Sequence, residues 1–176
     1  PLVIKTIVTT DQQIDIARHY GASCEETLTG FKWICQLIDD IEKGRSKPFR
    51  QYVCGGEESY GFLAGTFVRD KDAVSSAAML AEAAAWNKAR GSSFYEHLLS
   101  LYVRHGIHHE SLLSVTKQGR EGAEAIAGIM ERFRNDPPAE LAGVEVAAVL
   151  DFKLGLTTYL SDGREEPIEL PSSNVI

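Results

Sequence analysis

Long apolar runs are missing from this 176-residue sequence. No stretch approaches the roughly 20 residues that a membrane span needs, and no charged-then-apolar leader opens the chain. Dense Lys/Arg blocks are missing too. Eighteen basic against 25 acidic residues leave a formal charge of -7, which disfavours a nucleic-acid partner. Cysteine is scarce: Cys24, Cys35 and Cys54 are odd in number and lack C-x-x-C spacing, so neither a disulfide framework nor a zinc knuckle is indicated. Together these absences predict a soluble, unexported protein of the reduced cytoplasm, with no membrane and no nucleic acid among its partners.

Two phosphate-binding signatures are also lacking. "GREGAEAIAG" (residues 119 to 128) has glycines but neither G-x-G-x-x-G nor Gly-Lys-Ser/Thr, which disfavours a nucleotide-binding module. "HGIHHE" (residues 105 to 110) offers His105, His108, His109 and Glu110 without H-E-x-x-H spacing or a supporting cysteine. It reads as a polar turn, and no metal site is expected.

What is present is ordinary globular material: 44% hydrophobic and 24% charged residues argue against disorder throughout. "LVIKTIVTT" (residues 2 to 10) is rich in β-branched residues and predicts a buried strand, with Thr10 and Gln13 as a capping-box signal for a helix that ends at Gly21. "SCEETL" predicts a short strand. Thr29 is the expected cap of a second helix, whose apolar positions Phe31, Ile34, Cys35, Ile38 and Ile41 share one face before Gly44 stops it. "RQYVCG" (residues 50 to 55) and "GFLAGTFV" predict two more strands around a loop. Asp72 should open an Ala-rich helix to about Arg90, and Ser93 with Glu96 another that ends near Gly106.

This order predicts an α/β domain, a layered sheet with helices on both faces, over residues 1–105. Residues 106–176 are expected to hold a strand at 111 to 117, a helix at about 120 to 134 with Ala125, Ile129 and Phe133 as its core stripe, and a strand at 144 to 152. Two strands and one helix bury too little surface alone, so this part reads as an incomplete α+β domain. The strand-like start at Pro1 and the apolar pair Val175-Ile176 at the end read as those of a piece cut from a longer protein.

The chemistry concentrates in "CGGEESYGFLAGTFVRDKDA" (residues 54 to 73). Adjacent glycines at 55 and 56 permit close backbone approach, and Glu57 and Ser59, one residue apart, would share a side if locally extended. A carboxylate accepts hydrogen bonds from hydroxyls and a serine both donates and accepts, so the pair suits a polyol such as a sugar. The same residues would equally serve as solvated loop charges with a turn-capping serine. Lys71 precedes a helix N-terminus and has Arg69 nearby, which predicts a lowered pKa and a role as proton donor or acceptor; Asp70 and Asp72 act the other way. Thr29, Gly30 and Lys32 sit at a helix start where free amides attract anions or ligand hydroxyls, or simply cap a core helix.

In this order, "TLTGFKWI", "GGEESYGFLAGTFVRDKDA", "MLAEAAAW" and "EEPIELPSSNVI" resemble the α-D-phosphohexomutase family, in particular its bacterial phosphoglucomutase/phosphomannomutase branch. The resemblance covers nearly the whole chain and implies the third of four domains plus the start of the fourth. It implies that Glu57 and Ser59 grip adjacent ring hydroxyls, that Thr29, Gly30, Lys32 and Arg69 line the substrate site, and that Lys71 serves acid/base or phosphate contact. It further implies a parent enzyme that interconverts hexose 1-phosphate and hexose 6-phosphate through a phosphoserine and a hexose 1,6-bisphosphate, with Mg2+ held elsewhere. The phosphoserine, magnesium and terminal phosphate loops are not in this sequence, so the isolated chain is expected to be inactive and to need the missing domains as partners. A non-catalytic sugar-phosphate-binding or interaction module is the alternative. Tyr60 and Ala73 depart from patterns that carry glycine or another small residue at those positions in some branches.

Overall fold

The computed structural model describes residues 1–45 and 50–176. Two compact units result, Pro1–Glu110 and Ser111–Ile176.

The first unit is organised by β1 (Leu2–Thr6), whose neighbours are β2 (Ser23–Thr27) and β3 (Tyr52–Glu57), both parallel to it; β4 (Gly61–Ala64) runs antiparallel on the far side of β3. Alternation of side chains along β1 decides what covers each face. Leu2 and Ile4, both fully buried, cluster with Phe31, Ile34, Ile38 and Ile41 of α2 (Phe31–Glu42) and with Tyr52 and Leu63. Val3 points the other way, toward Ile16 and Ala17 of α1 (Gln12–His19). Helices therefore lie on both faces, as the element order predicts. Each fully buried Ile or Leu side chain contributes about 1.5–3 kcal/mol, and Tyr52 adds a buried hydrogen bond from its hydroxyl to the carbonyl of Leu63 at 2.8 Å.

After β4 come α3 (Ala73–Ala89) and α4 (Phe94–His105). Asp72 caps α3 through Val74 N–H, and Ser93 with Glu96 forms the full capping box of α4. Two other expected caps differ. Asp11, not Thr10, occupies the N-cap of α1 and makes no capping bond there, because its carboxylate instead pairs with Lys5 at 2.9 Å. The N-cap of α2 is Gly30 at φ 115°, with no side-chain cap from Thr29; that backbone angle is one only glycine adopts without strain. The first strand is also shorter than its β-branched run, since the chain turns after Thr6.

The second unit pairs α5 (Gly119–Asn135) with short antiparallel strands: β5 (Glu140–Leu141) with β6 (Val144–Glu145), and β7 (Ala148–Asp151), β8 (Leu156–Tyr159) and β9 (Glu165–Pro167) in a three-stranded sheet. The expected strand at 111 to 117 makes no ladder; Leu112 and Leu113 are 90% and 89% exposed and have no strand beside them. The run 144 to 152 breaks into β6 and β7, which belong to different sheets. Ile129 and Phe133 are 37% and 45% exposed, because strands this short cannot cover a 17-residue helix. What ties α5 down is polar: Arg134, its side chain 6% exposed, donates from Nε to Asp151 Oδ2 at 3.0 Å.

Candidate functional site

In open parallel sheets, ligands bind outside the carboxyl ends of the strands, where the chain reverses its direction of winding. Here β1 leads to β2 on one side and β2 leads back across to β3 on the other, so the reversal lies between β1 and β3. Their last residues are Thr6 and Glu57, and β2 ends on Thr27; all three are buried polar groups. Burying threonine and glutamate at strand ends is costly unless each finds a hydrogen-bond partner, and Thr27 finds its partner in the carbonyl of Leu28 at 3.2 Å.

Glu57 is held from several directions. Its side chain is 3% exposed and ion-pairs with Lys71, itself 44% exposed, which also donates the hydrogen bond. Gly61 stands against it: a Cβ at that position would lie 2.8 Å from Cγ and Oε1 of Glu57 and 3.0 Å from the ring of Phe31. The start of α2 and the start of β4 thus meet at this edge, which brings Gly30 and Thr29 to the same end of the sheet as Glu57. A cleft of about 470 Å³ opens there, lined by Glu57, Glu58, Tyr60, Lys71, Asp72 and Ser76 among others.

The sequence-derived candidates divide by position. Glu57 and Lys71 meet in the cleft. Ser59 lies in the exposed turn beside it and donates to Glu58 Oε1 at 3.0 Å. Thr29 and Lys32 are exposed at the start of α2, and the Lys32 ammonium sits over the Trp33 ring at 4.9 Å. Arg69 is directed elsewhere: it pairs with Glu42, the last residue of α2, at the opposite end of that helix from Gly30.

Three details depart from the sequence reading. Gly55 and Gly56 belong to β3, where a Cβ on Gly55 would lie 2.4 Å from the carbonyl oxygen of Ile4; they serve strand packing rather than loop freedom. Residues 58 to 60 turn, with Tyr60 at φ 62°, so the extended backbone that would align Glu57 and Ser59 ends at Glu57. The pKa of Lys71 is raised, not lowered: the hydrogen bond to Glu57 and the charges of Glu57, Asp70 and Glu58 favour its ammonium, and these outweigh the helix start two residues on.

Sequence reasoning missed the polar groups beneath the turn. Lys5 is fully buried and donates to Glu26 Oε1 at 2.6 Å and to the carbonyl of Thr9 at 3.0 Å. Burial pulls its pKa down, but Glu26 and Asp11 hold it above the ordinary value. Thr6 Oγ1 donates to Glu58 Oε2 at 2.8 Å. The one signal available was a Lys-Thr pair at the end of an otherwise apolar strand.

A family model described as phosphoglucomutase/phosphomannomutase, alpha/beta/alpha domain III, matches residues 1–102. The chain belongs to the phosphoglucomutase/phosphomannomutase family. It is 36% identical over 175 residues to phosphoglucomutase from Staphylococcus aureus strain USA300, a match that covers 99% of this chain and 31% of that protein. The protein of strain N315 is 35% identical with the same coverage. The chain therefore spans about a third of the length of these phosphoglucomutases. A crystal structure of a Thermus thermophilus protein aligns over 67% of this chain and 26% of its own, with a TM-score of 0.49 at 23% identity. Within the phosphoglucomutase/phosphomannomutase fold, the domain III match ends inside α4 and includes every residue of the cleft.

Proposed function

We propose that this chain is the sugar-recognition portion of a phosphohexomutase, an enzyme that interconverts hexose 1-phosphate and hexose 6-phosphate through a phosphoserine and a hexose 1,6-bisphosphate. The observation that carries this reading is the Glu57 carboxylate at the β1/β3 reversal, paired with Lys71 at the mouth of a cleft of about 470 Å³. A carboxylate fixed by a lysine keeps its remaining lone pairs for ligand hydroxyls, and the lysine places positive charge where a phosphate would approach.

The proposed reaction explains why such a grip is needed. The sugar first takes the phosphoryl group of the phosphoserine; the bisphosphate then turns end for end, and its other phosphate returns to the serine. One protein surface must hold the sugar in two opposed orientations. Hydroxyls near the middle of the ring roughly exchange places on turning, so Glu57 and Ser59 serve both poses, with Thr29, Gly30 and Lys32 contributing from the start of α2. Lys71 acts as a fixed cation toward the phosphoryl group rather than as a lowered-pKa base. Arg69 contributes by anchoring the β4–α3 connector to Glu42, which returns Lys71 to Glu57. Uniform grip supplies affinity; acceleration must come from positioning and electrostatics at the moving phosphoryl group.

The family's magnesium finds no fitting donor set here. Among the described residues no three His, Cys, Asp or Glu side chains converge. Magnesium and the phosphoserine belong to the remaining two thirds of the parent protein, whose domains are this chain's partners, and the chain alone does not turn over. Three cysteines free of disulfides fit a cytoplasmic location. The test is thermal unfolding with glucose 1,6-bisphosphate, with inorganic phosphate and glucose as comparators. The bisphosphate alone is expected to raise the midpoint, with no rise in Glu57→Ala; equal effects of all three ligands, or none, would sink the assignment.

A further inference from the structure

The ends of β1 and β3 are joined by a side chain that the sugar grip does not use. Glu58 follows the last residue of β3 and begins the turn that ends on Tyr60 at φ 62°. Its Oε2 accepts from the fully buried Thr6 at 2.8 Å, and the hydroxyls of Thr6 and Thr9 lie 2.7 Å apart. Each hydroxyl has one proton. Since Thr6 gives its proton to Glu58, Thr9 gives its own to Thr6, and the 3.4 Å approach of Thr9 to Glu58 is secondary. Thr9 is fixed at its backbone as well, where its carbonyl accepts from the buried Lys5 at 3.0 Å. The other carboxylate oxygen of Glu58 accepts from Ser59 at 3.0 Å.

We propose that Glu58 is a positioning residue: its carboxylate clasps the hydroxyls at the end of β1 and so holds the turn that presents Glu57 and Ser59 to the ligand. A non-glycine residue in the left-handed region persists only where its surroundings over-determine it, and the clasp is that restraint for Tyr60. The clasp also sets the chemistry of Ser59. With its proton committed to Glu58, the Ser59 oxygen has only lone pairs to offer and accepts from a ligand hydroxyl, as Glu57 does.

This inference rests on the sugar-grip reading, and its test separates the two. Amide hydrogen exchange at residues 57 to 61 is measured in the 176-residue chain for wild type, Glu58→Ala, Thr6→Val and Thr6→Ser, followed by titration with glucose 1,6-bisphosphate. Loss of a hydrogen bond to a charged group predicts about tenfold faster exchange at the turn in Glu58→Ala and Thr6→Val, about tenfold weaker binding in both, and recovery of both properties in Thr6→Ser. Glu58 is exposed, so its variant remains informative if Thr6→Val fails to fold. Unchanged exchange in Glu58→Ala overturns the clasp. A loosened turn that binds the bisphosphate as tightly as wild type overturns the positioning role. A turn that loosens as expected in a chain whose wild type does not bind supports the clasp and removes the sugar-grip reading instead.

Discussion

Replacing Gly61 with alanine tests how closely the site is packed. The added methyl would lie 2.8 Å from Cγ and Oε1 of Glu57 and 3.0 Å from the Phe31 ring. Phe31 is 5% exposed and belongs to the main core cluster, so neither neighbour retreats without disturbing either the ion pair or α2. Overpacking of this kind costs about 1–3 kcal/mol. The lower backbone entropy of alanine in the unfolded chain returns about 0.4–1 kcal/mol. The net expectation is a loss of about 1–2 kcal/mol, or roughly 0.5–1 M in urea midpoint at a slope of about 2 kcal/mol/M. Trp33 and Trp86 both lie in the first unit, so tryptophan fluorescence follows its unfolding specifically. In a Glu57→Ala background two of the three close contacts vanish, and the cost of Gly61→Ala should fall by at least half. A Gly61→Ala chain as stable as wild type, or a cost that is the same in both backgrounds, would refute the claim that Gly61 exists to admit the Glu57 side chain.

Tyr60 combines φ 62° with full exposure; relief of left-handed strain offsets the extra freedom of glycine in the unfolded chain, so Tyr60→Gly should change stability by less than about 0.5 kcal/mol while Tyr60→Val costs more than about 1 kcal/mol, both read by urea unfolding. Burial tends to raise the Glu58 pKa, but hydrogen bonds from Thr6, its own backbone amide, Ser59 and Thr9 hold it below the ordinary 4.5. A depressed folded-state pKa gives stability that is complete above the unfolded value and lost as pH falls through the folded one, so the acid limb of unfolding below about pH 4.5 should be shallower in Thr6→Val than in wild type. Burial pushes the Cys24 thiol up to about 11 from 9.0, which predicts alkylation at neutral pH about a hundredfold slower than for an ordinary thiol, measured by mass spectrometry of the native chain.

The sequence carries the first unit well, for physical reasons that differ by element. The Phe31, Ile34, Ile38 and Ile41 spacing specifies one face of α2 without reference to anything else, and those four residues are the ones buried. Ser93 and Glu96 form their capping box because nothing competes for either side chain. Asp11 shows the opposite case: the local pattern pointed to Thr10 and Gln13, but a tertiary partner, the buried Lys5, decided where the acidic side chain went. The rise in the Lys71 pKa had the same origin, since the carboxylate that raises it most is 14 residues away in sequence, at Glu57. Glu58 was legible only as a charge on a loop because its partner Thr6 is 52 residues distant. In the second unit, the β-branched run 144 to 152 reads as one strand, yet pairing sends its two halves to different sheets, a choice that periodicity does not record.

The most direct test of the central claim is residue-resolved. Amide chemical shifts of the 176-residue chain are followed during titration with glucose 1,6-bisphosphate, in wild type and in Glu57→Ala. The account predicts shifts concentrated at residues 29 to 32, 55 to 61 and 69 to 72 that disappear in the variant. Shifts spread without regard to the cleft, shifts that survive Glu57→Ala, or none at millimolar ligand would contradict it.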